Sequence, residues 1–212
     1  MKSVALILAR GGSKGILNKN IAVLKGQPLI SYTINAAKHS NVDEVWVSTD
    51  SSAIKVIAKQ HGAKVIHRPD EFARDDSPNE ESLLHFSDVV GDFDVLVSIQ
   101  PTSPLLSPDY INIGLDKIDE GYDSAFTAYK EHWYPRWSLD VKPIDFNNGS
   151  RPRRQDRDEV YVENGAVYVT TKNALVTNRA RVSGNIAVVE MPLADSFQID
   201  TYDDMELIER LI

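Results

Sequence analysis

Arg10, Lys14 and Lys19 place three cations on one short stretch, LARGGSKGILNKN over residues 8–20. The adjacent Gly11 and Gly12 let backbone N–H groups approach an anion closely. Arg10 adds a fork of donors, and the lysines add point charges. The preceding run SVALILA (3–9) is continuously apolar, as in a strand covered on both faces. Ligands of open parallel sheets gather at the carboxyl ends of the strands, where this loop would lie. The loop is therefore predicted to hold phosphate, its three cations matching a triphosphate. It is neither of two familiar phosphate loops. A Walker A loop needs Lys after its second glycine, but Ile16 follows Gly15; the dinucleotide fingerprint needs glycine where Arg10 stands. The second mismatch excludes a NAD-type oxidoreductase.

Other polar residues fall at the same kind of place. Asp50 follows the predicted strand EVWVST (44–49), Arg68 ends AKVIHR (63–68), and Gln100 ends DVLVSIQ (94–100). Asp75 and Asp76 form an acid cluster ahead of a predicted helix at 78–90, where such residues are common. The histidines show no metal-ligand spacing, and His132 alone lies near the presumed site.

The elements that would position these residues alternate. Predicted helices cover 28–40, 51–62 (serine-capped and ending at Gly62), 78–90 and 107–121, between strands up to about residue 128. That alternation means βαβ units, a parallel sheet and right-handed crossovers. Residues 129–158 break the pattern with two tryptophans, three prolines and many charges, as a functional or interaction segment does. Two strand pieces around Asn164-Gly165 read as a hairpin, followed by a strand, a loop and a last helix.

With 212 residues, one domain over 1–212 is expected, 129–158 being its insertion. The chain has no cysteine, which excludes disulfides and thiolate metal sites and fits the cytoplasm. A net charge of −8 argues against nucleic acid as a partner and makes clustered cations informative. No apolar run is long enough for a membrane span, and the first residues read as a strand rather than a signal peptide.

The motifs ARGGSKG…NKN, VSTD (47–50), RPDEFARDDS (68–77), QPTSPL (100–105), RRQD (153–156), ENGAVYV (163–169) and IDT (199–201) occur along essentially the whole chain. In this order the chain resembles the CMP-sialic acid synthetases, the acylneuraminate cytidylyltransferases, and more distantly the CMP-Kdo synthetases. The resemblance implies a three-layer, Rossmann-like α/β nucleotidyltransferase with a mainly parallel sheet, and 129–158 as a small dimerisation and substrate-lid insertion. It implies transfer of CMP from CTP to the anomeric hydroxyl of a nonulosonic acid, with Mg2+ as cofactor and a homodimer as the working form. By the same resemblance Arg10, Lys19 and Asp200 are catalytic. Ala9, Arg10, Gly11, Gly12, Ser13, Lys14, Asn20, Arg68, Asp75, Ser77 and Asn79 bind the nucleotide. Gln100, Arg136, Arg154 and Asn164 bind the sugar, Arg136 being equally an interface residue.

Two departures from the family pattern matter. The family has D-[IV]-D-T near its carboxyl end, whereas this chain has Gln198 before Asp200. The expected Mg2+ ligands are thus Asp200 and a neutral Gln198. The family often has R-P-N-G-A, whereas Val162 and Glu163 precede Asn164 here, pointing to a different sugar or a different partner for its carboxylate. The alternatives are a cytidylyltransferase for Kdo or an amino-Kdo, and a nucleotide-binding homologue without efficient catalysis that serves as a sensor or assembly partner.

Overall fold

A computed structural model describes residues 1–13, 15–132 and 134–212. Among the described residues, seven strands form one sheet: β1 (Ser3–Leu8), β2 (Glu44–Thr49), β3 (Lys64–His67), β4 (Val95–Ile99), β5 (Ser124–Lys130), β6 (Tyr161–Thr171) and β7 (Ile186–Glu190). Their order is β7-β5-β6-β4-β1-β2-β3. The β1–β2, β2–β3, β1–β4 and β5–β7 pairs are parallel, and β6 runs antiparallel to both β4 and β5.

The helices are α1 (Leu29–Lys38), α2 (Ser52–Gln60), α3 (Asn79–Val90), α4 (Pro108–Asp119), α5 (Lys172–Asn178) and α6 (Tyr202–Glu209). Ser51 and Ser107 cap α2 and α4, their hydroxyls accepting from the N–H groups of Ile54 and Asp109. Gly62, at φ +83°, follows α2 as a stop. Ile30, Ile34, Ile54, Ile111 and Ile118 pack α1, α2 and α4 on one face of the sheet. Leu83, Phe86 and Leu175 pack α3 and α5 on the other, completing the three layers. The fully buried β1 and β4 lie between them, which explains why each is apolar apart from a single serine, Ser3 and Ser98.

Two features position the site. Strand order reverses beside β1, since the chain runs outward to β2 and β3 and returns to β4 on its other side. The loops after β1 and β4 therefore part at their carboxyl ends and leave a crevice. A small core of Ile16, Leu24, Leu29, Ile199 and Ile208 then binds the loop after β1 to the carboxyl-terminal segment. The Ile199 N–H donates to the Thr102 carbonyl at 2.9 Å, tying that segment to the loop after β4 as well.

The expected hairpin at Asn164-Gly165 is absent: Tyr161–Thr171 is one strand, irregular between Glu163 and Tyr168. Gly165, at φ +75°, serves a bulge instead of a turn. The Asn164 carboxamide closes the bulge from within, as its Oδ1 accepts from the Thr127 hydroxyl at 2.7 Å and from the Ala166 N–H at 3.1 Å. Within 129–158, Arg136–Trp137 and Pro143–Ile144 pair as a small ribbon apart from the main sheet.

Candidate active site

The crevice beside β1 is a cavity of about 320 Å3. Arg10, Ser13, Gly15, Lys19 and Asn20 line it from the loop after β1; Arg68 follows β3; Gln100, Pro101 and Thr102 follow β4; Asn79 opens α3; Asp200 comes from the carboxyl-terminal segment. Leu8 forms part of its floor. Residues from five parts of the chain thus meet at the carboxyl edge of the parallel strands.

Cations and acids are matched across it. The Lys19 ammonium lies 2.7 Å from an Asp200 carboxylate oxygen, and Arg10 pairs with Asp75. Asn20 is buried, and its Nδ2 donates to the Arg10 carbonyl at 2.9 Å, which fixes the loop backbone. The Gly11 N–H donates to Asp50 at 2.8 Å. Arg68 is buried with only a 3.3 Å bond from its Nε to the Ser48 hydroxyl, and its Nη2 has no hydrogen-bond partner among the described residues. Burial pushes its pKa down to about 10; Asp50 opposes the shift, and Arg10 adds to it. The guanidinium is still charged at neutral pH. A buried, incompletely paired cation on a cavity wall is costly to the empty fold and suited to an anion.

The structure brings Arg10, Ser13, Lys19, Asn20, Arg68, Asn79, Gln100 and Asp200 to one wall, and Asp75 joins them through Arg10. Ala9, Gly11 and Gly12 form the backbone approach to it; Gly12 is exposed and Ala9 is buried, its N–H donating to the Ser48 carbonyl. Lys14 lies outside the described residues.

Other expected residues sit elsewhere. The Ser77 hydroxyl closes its own loop by donating to the Glu71 carbonyl at 2.7 Å. Arg136 pairs with Asp145 inside the insertion, and the exposed Arg154 lies over the Tyr134 ring at 5.7 Å. Asn164 spends its amide nitrogen on the Ser196 hydroxyl at 2.9 Å and its oxygen on the bulge, so it supports the sheet within this chain. Gln198 donates to the Ser103 hydroxyl at 3.1 Å, off the cavity wall.

Thr102 and Gly15 line the cavity without having been singled out. Thr102 was signalled by its place two residues past Gln100 in the same turn. The role of Gly15 depends on a contact with distant Asp200, which no local pattern reveals.

The chain matches the family described as Cytidylyltransferase over residues 4–211. It belongs to the cytidylyltransferase family. The N-acylneuraminate cytidylyltransferase B of Danio rerio is 40% identical over 216 residues, covering 98% of this chain and 51% of that protein. The N-acylneuraminate cytidylyltransferase of Oncorhynchus mykiss is 38% identical, covering 98% and 50%. That of Streptococcus agalactiae serotype V is 29% identical, covering 96% and 52%. The chain spans about half the length of these curated relatives. In fold, this cytidylyltransferase-family chain is similar to a CMP:2-keto-3-deoxy-manno-octonic acid synthetase solved in complex with CTP, with a TM-score of 0.75 and 18% identity, covering 100% of this chain and 98% of that one. It is also similar to the 4-diphosphocytidyl-2C-methyl-D-erythritol synthase of Anaerococcus prevotii, with a TM-score of 0.69 and 14% identity, covering 99% and 95%.

Proposed function

We propose that this chain transfers CMP from CTP to the anomeric hydroxyl of a nonulosonic acid and releases pyrophosphate. The observation that carries the reading is the convergence of Arg10, Lys19 and Arg68 with Asp200 on one crevice of a cytidylyltransferase-family fold. The names of the relatives support the sugar class.

In this reading the triphosphate takes Lys19 and Arg10 over from the carboxylates of Asp200 and Asp75. The acceptor oxygen bonds to the α-phosphorus as the bond from that phosphorus to the bridging β-phosphate oxygen breaks. The hydroxyl proton passes to water, and negative charge collects on departing pyrophosphate. Phosphoryl chemistry asks the protein for positioning and charge neutralisation, which fixed cations supply. Asn20 holds the Arg10 carbonyl, and so keeps the loop in place while ligands exchange.

Mg2+ belongs to the proposal. Among the described residues no three His, Cys, Asp or Glu side chains gather into a metal cage. The mostly exposed Asp200 carboxylate on the cavity wall nevertheless fits this ion, which commonly uses one or two carboxylates with substrate phosphates and water. Bound there, it would neutralise phosphate oxygens. Gln198, whose amide nitrogen is engaged by Ser103, offers only a neutral oxygen. Gln198→Asp is expected to lower the Mg2+ concentration for half-maximal turnover by about an order of magnitude, because ligand charge sets such affinities. A Mg2+ titration of the rate checks this, and an unchanged midpoint would make Gln198 purely structural.

A homodimer in the cytoplasm completes the proposal. The insertion exposes Tyr134, Trp137, Leu139 and Val141, apolar area that a second copy would cover. In this reading Arg136 and Arg154, which lie on that segment, act at the site of the second copy. Among the described residues no helix is long and apolar enough to cross a membrane.

Thermal unfolding with each ribonucleoside triphosphate tests the nucleotide half of the proposal. CTP with Mg2+ is expected to raise the midpoint more than UTP, GTP or ATP does; equal shifts would remove cytidine selectivity. The same assay tests Arg68. Because folding lowers its pKa, burial of the charge costs stability fully below pH 10 and less as pH rises beyond it. Arg68→Met is therefore expected to raise the midpoint of the ligand-free chain by a few degrees (about 1 kcal/mol) and to abolish most of the CTP-induced shift. A lower ligand-free midpoint with the CTP shift intact would contradict this.

A further inference from the structure

A second group of charged residues lies just beyond the cavity, and nothing in the proposed chemistry employs it. Asn79 is on the wall, and the next residue, Glu80, sits 3.4 Å from the Arg181 Nε. The Arg181 guanidinium lies over the Tyr168 ring, 4.4 Å from its centroid. The Tyr168 hydroxyl donates to Glu163, which with Val162 departs from the family pattern just before Asn164. Val167 and Val169 pack into the core on the α4 face, so Tyr168 between them looks toward α3, the side that also carries Leu8 and Asn79. In register Tyr168 stands opposite Ser98, two residues before the cavity residue Gln100. The group therefore adjoins the cavity at the start of α3 and on β6, next to Asn79 and two register positions from Gln100, without itself lining it.

Stability alone does not account for it. Glu80 and Arg181 are each only about one quarter exposed (28% and 26% of the side chain), and for a largely buried pair desolvation offsets the attraction, so its presence is weak evidence for a stabilising role. What the arrangement does achieve is orientation. The ring holds one face of the guanidinium and Glu80 holds its Nε edge, while its Nη nitrogens make no hydrogen bond among the described residues. A planar fork fixed on one edge and one face presents its remaining donors in a set direction. The Tyr168 hydroxyl, raised well above its ordinary pKa by burial and by Glu163, stays neutral as a donor and keeps Glu163 in place.

Resting on the proposed function, we propose that Arg181 is a specificity-determining residue for the acceptor. Its free Nη edge takes an oxygen of the hydroxyl-bearing tail, the part of the sugar acid farthest from the reacting hydroxyl. A site that hydrogen-bonds a substrate group rejects analogues lacking it, because the site's own donors are then left unpaired.

The test compares kcat/KM for a nine-carbon and an eight-carbon keto-acid sugar in the wild-type chain, Arg181→Gln and Arg181→Lys. Arg181→Gln is expected to reduce the nine-to-eight ratio by roughly tenfold, with the KM for CTP unchanged within about twofold. Arg181→Lys, which keeps the charge and loses the fork, is expected to fall between. A structural role would lower both acceptors together, so an unchanged ratio in these variants overturns the inference. If the glutamine variant does not melt cooperatively, the lysine variant decides. A wild-type chain that turns over neither acid sinks the functional reading, and the inference with it.

Discussion

Lys19→Ala is expected to lower kcat by about a hundredfold or more, the loss typical of one preorganised group facing developing charge. Lys19 opens a short 3-10 turn after Asn18, which adopts a left-handed conformation, and its side chain is only 17% exposed. Its ammonium is held at 2.7 Å by Asp200, so it is already placed before any ligand arrives. The ground-state triphosphate has other cations to bind, Arg10 and Arg68 among them. The departing pyrophosphate gains charge in the transition state, and there a fixed ammonium matters most. The loss should therefore fall on kcat more than on the KM for CTP, and steady-state pyrophosphate release separates the two. Lys19→Arg should retain part of the rate. Unchanged turnover in Lys19→Ala would remove this residue from the chemistry.

Gly15→Ala should cost a comparable factor by a different route. A Cβ built at Gly15 would stand 2.6 Å from the backbone carbonyl oxygen of Asp200, which no side-chain rotation can relieve. The next residue, Ile16, is buried against Ile199, so loop and carboxyl-terminal segment are pinned at the point of contact. Admitting the methyl group forces Lys19 and Asp200 apart by a fraction of an ångström or more, and misplacements of about 1 Å cost on the order of a hundredfold. The clash is with backbone at a pinned contact, so the unfolding midpoint should fall as well, and the rates are compared well below it, where the variant is folded. Gly12→Ala is the companion variant: its Cβ meets no atom within 4 Å, and any loss there reports on ligand approach to the loop. Full activity in Gly15→Ala would show that the loop and Asp200 need not stay in contact.

These two expectations also mark how much was legible in the sequence. The alternation of apolar runs and capped helices gave away the layered sheet, because Ser51 and Ser107 are local signals and β1 is uniformly buried. The site's location followed from polar residues at the carboxyl ends of strands, where Arg10, Arg68 and Gln100 all lie. Contacts between segments far apart in the chain were not legible. The approach of Gly15 to Asp200, the shared core of Ile16 and Ile199, and the Gln198–Ser103 bond exist only once the sheet has formed. Asn164-Gly165 misled for the same reason. A dipeptide tolerant of positive φ serves a turn or a bulge equally well, and pairing of β6 with strands on both sides decided for the bulge. Among the described residues, Arg136 and Arg154 make only contacts within their own segment, and none of those brings them to the cavity.

The most direct test of the central claim is pyrophosphate release from CTP and Mg2+ against a panel of sugar acids: N-acetylneuraminate, its deaminated form, legionaminate, pseudaminate and Kdo. The account predicts release with one or two nine-carbon members, none without acceptor, and little with UTP in place of CTP. Release with Kdo alone would move the chain to the eight-carbon acceptors. No release with any member, while CTP still raises the unfolding midpoint, would contradict catalysis and leave a nucleotide-binding protein.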